Sequence, residues 1–332
     1  MPSLEHDVDA LAERTGFSGV VHVEDRSGVE LSKAYGLANR AHGIPNTTET
    51  QFGVASGTKG LTALTVVSLI EDGLLDLATT ARSALGRDLP LIADDVTVEH
   101  LLSHRSGIGD YFDEDAGGEI TDYVLPIPVH RLETTEAYLA ALDGYPTAFS
   151  AGERFAYCNS GFVVLALIAE RATGRPFHDL VRERVCKPAG MDETAFLRSD
   201  ELPERAALGY LTDDGPRTNV LHLPVRGSGD GGIYSTAADF SSLWRAFFAG
   251  RIVSPTWVAE MTRPRSESPE PPRRYGLGFW LHESSDVVLL EGYDPGVSFM
   301  STHDPAPAVT RTVISNTSEG AWDMAGLLNG GL

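Results

Sequence analysis

The sequence predicts an α+β fold in which one antiparallel sheet, flanked by helices, is built from both ends of the chain. Two strand-like stretches, 18–24 and 31–36, lie near the start, and four more follow one another at hairpin spacings after residue 275. The region between shows helical periods separated by Pro and Gly. We therefore expect a sheet domain formed by 1–57 and 228–332, and an inserted helical domain formed by 58–227.

The individual elements follow from local patterns. An acidic amphipathic stretch predicts a first helix at 5–15, and the turn at 25–28 joins the first two strands. A helix of almost wholly apolar residues is expected from Ser56 to Ile70, ending near Gly73. The other expected helices lie at 134–143, 160–173, 177–186, 236–249 and 319–328. The later strands are expected at 275–281, 286–290, 297–301 and 309–314, and the Pro-rich residues 268–272 as a surface linker.

Composition and charge restrict the class of protein. The 332 residues are 42% hydrophobic and 22% charged, as in ordinary globular proteins, and the net charge is −21. No basic cluster is present, which argues against nucleic acid, an anionic membrane surface or a polyanionic substrate as partner. The acidic first nine residues lack the apolar core of a secretory signal, and no run reaches transmembrane length, so a cytoplasmic location is expected. The oligomeric state is left open.

Ser56 and Lys59 are candidate catalytic residues. They lie about one helical turn apart, so their side chains can meet on one face. A lysine that enters a buried helix is costly unless it is paired or its pKa falls, and a partly neutral lysine can act as the base for a serine hydroxyl. The helix dipole would favour the negative charge that develops during acyl transfer. The alternative is that Ser56 caps the helix and Lys59 reaches solvent.

Tyr157 and Asn159 form a second candidate pair, in a non-helical turn that lets both side chains point to one side. A phenol near a lysine ammonium loses its proton more easily, because the cation favours the phenolate. Tyr157 could then relay a proton, while Asn159 offers an amide to Lys59 or to a substrate carbonyl. The alternative is that Asn159 or Ser160 caps a helix and Tyr157 is merely packed.

The sequence predicts no cofactor and no metal. The pattern Gly-x-Gly-x-x-Gly at 227–232 lacks the preceding strand and the βαβ unit that dinucleotide binding requires. No His, Asp and Glu cluster has metal-ligand spacing, and Cys158 and Cys186 form neither a metal spacing nor a disulfide framework.

Taken together, these motifs resemble the serine β-lactamase and penicillin-binding protein superfamily, closest to its class C β-lactamase and family VIII esterase branch. Residues 56–59 match its Ser-x-x-Lys motif, and 157–159 match its Tyr-x-Asn motif. Three more segments are similar to segments of that family: 101–108, 229–239 and 275–279. The resemblance implies a β-lactamase/transpeptidase-like fold, with an active site in the cleft between the sheet domain and the helical domain.

The resemblance also implies roles for single residues. Ser56 would be the acylated nucleophile, with Lys59 and Tyr157 as the pair that handles the proton. The backbone N–H groups of Ser56 and Tyr293 would form the oxyanion hole. Asn159, Gly292 and Glu291 would contact the substrate.

The family's third motif, Lys/His-x-Gly, falls on 290–292, and here the sequence departs from it. Leu290 replaces the Lys or His, while Gly292 is kept and would let backbone and substrate approach closely. The replaced group helps penicillin-recognising members hold a carboxylate. Its loss, with Glu291 and Asp294 beside the substrate-binding glycine, argues against anionic substrates.

The expected function is therefore hydrolysis of a small carboxylic ester through a Ser56 acyl-enzyme, with weak β-lactam hydrolysis as a side activity. Three alternatives remain open. The protein could be a β-lactamase or a D-amino-acid amidase or peptidase, or it could transfer the acyl group to a nucleophile other than water. It could also be a catalytically silent binding or regulatory protein that keeps the pocket, and Leu290 is the support for that reading. The expected partner is a small-molecule acyl substrate.

Overall fold

The computed structural model describes residues 3–113, 117–269 and 272–330. The strands are β1 (Gly19–Asp25), β2 (Gly28–Tyr35), β3 (Leu37–Asn39), β4 (Ile44–Pro45), β5 (Phe52–Gly53), β6 (Tyr234–Ser235), β7 (Ser266–Pro269), β8 (Pro272–Tyr275), β9 (Trp280–Leu281), β10 (Val288–Asp294), β11 (Val297–Asp304) and β12 (Val309–Ser315). The helices are α1 (Leu4–Thr15), α2 (Thr58–Glu71), α3 (Ala81–Leu85), α4 (Val98–Leu102), α5 (Leu139–Leu142), α6 (Asn159–Thr173), α7 (Phe177–Val181), α8 (Lys187–Ala189), α9 (Ala237–Phe248), α10 (Pro255–Met261) and α11 (Gly320–Asn329).

Strands from both ends of the chain form one antiparallel sheet, in the order β2-β1-β12-β11-β10-β9-β8-β7. The first strand pairs directly with the last, with Gly19 opposite Ser315 and Glu24 opposite Thr310. The predicted fold class is therefore confirmed, because strands almost 300 positions apart in sequence pair within one antiparallel sheet.

Alternate residues of β1 face two different apolar layers, as strand geometry requires. Val20 belongs to the large core that also contains α2 and α9. Val21 and Val23 belong to a smaller core shared with α1 and α11. The sheet is thus covered on both faces, with the terminal helices on one face and the helices of the main core on the other.

Helix α2 lies inside the main core, as its apolar composition predicts. Every residue from Thr58 to Ile70 is buried. Gly60 allows β10 to approach, because a Cβ at this position would lie 2.7 Å from Cδ2 of Leu290. Burial on all sides fixes the start of this helix, and with it the turn that precedes it.

Two predictions for the later strands are wrong in detail. The stretch 275–281 is not one strand, because Gly276 and Gly278 (φ +85°) turn the chain between β8 and β9, and a side chain at either would overlap neighbouring atoms. The Pro-rich stretch 268–272 is not a plain linker, because its two ends belong to β7 and β8, which pair at the sheet edge. Residues 270–271 lie outside the described residues.

Candidate active site

Ser56 lies in a single 3-10 turn, Ala55–Gly57, between β5 and α2. Ala55 adopts a φ of +45°, which is strained for a residue other than glycine and persists only where its surroundings hold it. Gly57 packs so closely that a side chain there would overlap the ring of Phe299. Ser56 is half-buried and lines a cavity. The fold therefore presents this hydroxyl on a rigid, strained turn.

The Lys59 side chain is buried, at 2% exposure, so the alternative in which it reaches solvent is wrong. Its Nζ lies 2.7 Å from each of three oxygens: Oγ of Ser56, Oδ1 of Asn159 and the backbone oxygen of Asp230. The two carbonyl oxygens can only accept, whereas the hydroxyl can also donate. A neutral amine would keep both carbonyl bonds and turn its lone pair toward Ser56. The geometry thus fits a proton acceptor for that hydroxyl.

The side chain of Asn159 contacts Lys59, while the side chain of another residue caps the helix that begins at Asn159. The Asp110 carboxylate accepts from the backbone N–H groups of Asn159 (2.6 Å) and Ser160 (2.8 Å), and from the Ser160 hydroxyl (2.9 Å). The capping role considered for Asn159 or Ser160 is therefore wrong. Burial raises the pKa of Asp110, and the N–H groups oppose this shift. Nδ2 of Asn159 donates to the Phe112 carbonyl, which leaves Oδ1 directed at Lys59.

Tyr157 places its ring beside the lysine. The ring centroid lies 5.0 Å from Nζ of Lys59, and the ring stacks nearly parallel to Trp280 at 6.0 Å. The amine thus lies over the face of the Tyr157 ring. Tyr157 does not line the Ser56 cavity but borders a neighbouring one formed by residues within 107–113 and 145–158.

His104 positions the segment that carries Tyr157 and Asn159. It is 1% exposed, with φ +53°, and its Nδ1 accepts from the N–H of Cys158 at 3.0 Å. Burial lowers the pKa of His104 well below the usual value, so the ring is neutral, with its proton on Nε2. The ring also contacts that of Tyr157, with centroids 4.3 Å apart.

Strand β10 passes directly beside the serine turn at Gly292. A Cβ there would overlap the Val54 carbonyl and lie 3.0 Å from the backbone nitrogen of Ser56. Glycine is thus required by close approach. Leu290, two residues earlier on the same face, is 2% exposed and packs against Gly60 in the core. The substitution in the third motif therefore places an apolar side chain against α2.

The remaining β10 residues divide between two faces. Glu291 forms an ion pair with Arg273 at 2.6 Å and does not line the Ser56 cavity. The Tyr293 hydroxyl donates to Glu319 at 2.6 Å, so its side chain is held at a distance from the serine turn while its backbone follows Gly292. Asp294 lines the cavity.

Asp230 and Tyr111 also belong to this site, although neither is predicted from the sequence. The Tyr111 hydroxyl donates to Oδ2 of Asp230 at 2.5 Å, and both residues are buried. Burial raises the pKa of Asp230, while the Lys59 charge and the Tyr111 bond oppose this shift. An acidic residue inside a Gly-rich stretch such as 229–232 is unusual, so Asp230 could have been singled out from the sequence. No neighbouring residue distinguishes Tyr111 in the same way.

The Ser56 cavity is mostly apolar and aromatic. Its aromatic lining residues are Tyr111, Phe112, Tyr123, Tyr138 and Tyr234. Within residues 3–113, 117–269 and 272–330, no group of three His, Cys, Asp or Glu side chains could hold a metal ion. Both cysteines are buried and free. Among the helices of these ranges, none combines the length and the apolar character needed to cross a bilayer.

Known proteins share this architecture. The sequence model of the Beta-lactamase family matches residues 4–328. The structure is similar to that of a penicillin binding protein from Bacillus halodurans, with a TM-score of 0.90 and 33% identity, covering 97% of this chain and 99% of that chain.

Two curated relatives are similar in sequence. Esterase EstB of Burkholderia gladioli is 32% identical over 216 residues, which is 60% of this chain and 52% of that protein. A D-aminopeptidase of Brucella ovis is 28% identical over 303 residues, which is 87% of this chain and 54% of that protein. This chain thus spans about half the length of both relatives. Since the family match covers nearly its whole length, the chain belongs to the Beta-lactamase family of serine hydrolases.

Proposed function

We propose that this protein hydrolyses small carboxylic esters through an acyl-enzyme on Ser56, with weak β-lactam hydrolysis as a side activity. The observation that carries the proposal is the 2.7 Å contact between Nζ of buried Lys59 and Oγ of Ser56. A serine hydroxyl is a weak nucleophile until an adjacent base takes its proton, and this contact supplies the base.

In the first step, Lys59, assisted by Tyr157, takes the proton of Ser56 as Oγ forms a bond to the substrate carbonyl carbon. The oxygen of that carbonyl becomes an oxyanion. We assign its stabilisation to the backbone N–H groups of Ser56 and Tyr293. The close approach of Gly292 to the Ser56 nitrogen supports this, because it brings the two backbone segments to one place.

In the second step, the bond from the carbonyl carbon to the leaving oxygen breaks. Tyr157 passes the proton to that oxygen, and the alcohol departs. Water then attacks the acyl group, gives its proton back through the same pair, and releases the acid with Ser56 restored. Asn159 holds Lys59 in place during both steps.

The choice of an ester as substrate rests on β10 and the cavity. Leu290 stands where penicillin-recognising relatives have a cationic or polar group. The described residues that line the cavity include no lysine or arginine. A carboxylate on the substrate would find no lysine or arginine among the described residues of this cavity wall. The similarity to esterase EstB supports the same choice. The similarity to a D-aminopeptidase makes a D-amino-acid amide or peptide the second candidate.

Intact-mass spectrometry tests the proposal. Wild type and Ser56→Ala are incubated briefly with a fluorophosphonate, p-nitrophenyl acetate or a penicillin. We expect an adduct on wild type that Ser56→Ala lacks, and turnover of the ester with a slow or missing penicillin adduct.

Other outcomes would redirect the assignment. Rapid penicillin turnover would favour a β-lactamase. Faster cleavage of a D-amino-acid amide than of the ester would favour an amidase. Alcohol added as acceptor would reveal acyl transfer if an ester product forms. The absence of an adduct with every reagent would contradict the enzyme proposal and favour a catalytically silent binding protein.

A further inference from the structure

The formally charged side chains among the described residues that line the Ser56 cavity are acidic. Among the described residues, Asp230 and Asp294 line it, and no lysine or arginine does. Ligand cavities usually place a few polar groups on an apolar wall, and these groups decide which ligands are accepted. The negative charge on this wall should therefore influence which ligands the cavity accepts.

The two carboxylates flank the serine turn. Asp294 lies on β10 two residues after Gly292, and its Oδ2 is 3.9 Å from where a Cβ of Gly231 would be. The backbone of Ala55, next to Ser56, is 3.6 Å from the same point. Asp230 precedes Gly231, and its carboxylate is oriented by the Tyr111 hydroxyl. Both acids thus border the space that an acyl group on Ser56 would occupy.

The rest of the wall suits a cation as well. Rings of Tyr111, Tyr123 and Tyr138 line the same cavity, and the faces of such rings attract ammonium groups. Two polar atoms of lining residues, Oγ of Ser199 and Nδ1 of His222, are buried without a hydrogen-bond partner within the described ranges. Buried polar atoms in this state are exceptions that the N–H groups of a bound ammonium could satisfy, whereas a quaternary ammonium would rely on the carboxylates and the ring faces.

We propose that Asp230 and Asp294 make this cavity selective for an acyl group that carries a positive charge, either an ammonium or a quaternary ammonium. The inference rests on the proposed hydrolysis at Ser56 and names its substrate class. A cation would pair with the two carboxylates and contact the ring faces, whereas an anionic acyl group would meet like charge in a site shielded from water. Burial raises the pKa of Asp230, and a bound cation would stabilise its ionised form.

The test compares two aryl esters of the same shape. One has a 4-(trimethylammonio)butanoyl group and the other the isosteric, neutral 5,5-dimethylhexanoyl group. The measured quantity is the ratio of their kcat/KM values, each corrected for spontaneous hydrolysis. It is determined for wild type, Asp230→Asn, Asp294→Asn and a control, Asp95→Asn, which removes the same charge at an exposed position. The ratio cancels any general loss of activity in a variant.

We expect wild type to favour the cationic ester at least about tenfold, and the ratio to fall by a similar factor in one or both cavity variants. Asp95→Asn should keep the wild-type ratio. A wild-type ratio of one or below would overturn the inference. A ratio unchanged in both cavity variants would overturn it equally.

Failure of the proposed hydrolysis is recognised separately, because the neutral ester would then not be turned over at all. In that case calorimetric titration of Ser56→Ala with the two esters decides the inference. The inference would be supported if Ser56→Ala binds the cationic ester more tightly and this preference disappears when Asp230→Asn or Asp294→Asn is added to Ser56→Ala. Equal binding of both esters would overturn it.

Discussion

Nζ of Lys59 and Oδ1 of Asn159 are 2.7 Å apart, although 100 residues separate them in sequence. The contact joins the first turn of α2 to the first residue of α6. Helix α2 is fixed by burial, and the start of α6 is fixed by the Asp110 carboxylate. The position of the lysine amine is therefore set by two elements of the core, and this makes it sensitive to a change at Asn159.

Asn159→Ala should lower kcat/KM for an aryl ester about ten- to hundredfold, because a hydrogen bond to a charged or basic amine is lost inside the core. The measurement is ester turnover together with the rate of fluorophosphonate labelling. Asn39→Ala serves as control, since among the described residues the Asn39 side chain accepts one local bond, from the N–H of His42. Equal rates for wild type and Asn159→Ala would show that the contact does not matter for acylation.

Gly292→Ala should abolish labelling of Ser56 and lower the free energy of unfolding by about 1–3 kcal/mol, because the added Cβ overlaps the Val54 carbonyl. Gly326→Ala is the matched control. It lies within α11 with nothing within 4 Å of the new Cβ, and should be neutral or stabilising by up to about 1 kcal/mol. Urea unfolding and labelling measure both effects. A fully active Gly292→Ala variant would contradict the close approach of β10.

Leu290→Lys should not create a β-lactamase. The side chain at this position packs against Gly60 in the core, so a lysine would bury an unpaired charge and cost about 3 kcal/mol or more. Leu290→Met, which conserves volume, should cost less than about 1.5 kcal/mol. Denaturant midpoints compare the two, and penicillin turnover is assayed alongside. A stable Leu290→Lys variant that gains penicillin turnover would show that the side chain reaches the substrate.

Stability should decrease on acidification. Burial lowers the pKa of His22, His178 and His303 to about 4 in each case. The ordinary pKa is about 6.5, so between these values the unfolded chain binds more protons than the folded one. The free energy of unfolding should therefore fall as the pH drops from about 6.5 toward 4, by up to about 1.4 kcal/mol per pH unit for each histidine.

His178→Gln tests this dependence. The Nε2 atom of His178 contacts the carbonyl of Gly227 at 2.8 Å, and a glutamine amide could keep that bond without titrating. We expect the variant to show a shallower decrease than wild type in urea midpoints measured from about pH 7 to about pH 5. The exposed His42→Gln should follow wild type. Identical slopes for all three proteins would exclude a contribution from His178.

Much of this structure could be predicted from local patterns. Helix α2 is apolar on all sides, and Ser56 and Lys59 lie one turn apart, so their contact needs no long-range information. The two-strand hairpin at the start and the later strands follow from alternation and turn residues. The sequence does not predict β9 as a separate element, because Gly276 and Gly278 break a stretch whose composition is typical of one continuous strand.

The remaining part of the site depends on contacts between distant segments. Tyr111 and Asp230 are 119 residues apart, and nothing near Tyr111 indicates its partner. Asp110 caps α6 from 49 residues away, whereas sequence patterns for caps consider only adjacent residues. The charge of the cavity wall likewise emerges only when Asp230 and Asp294 are brought to one place by folding.

The pairing of β1 with β12 has a consequence for synthesis on the ribosome. The first strand emerges early but cannot acquire its second neighbour until the last strand has left the exit tunnel. Until then one edge of β1 stays unpaired and open to association with other chains. Nascent chains stalled before residue 309 should therefore depend on chaperones and stay unreactive toward a fluorophosphonate, although Ser56 and Lys59 were translated long before.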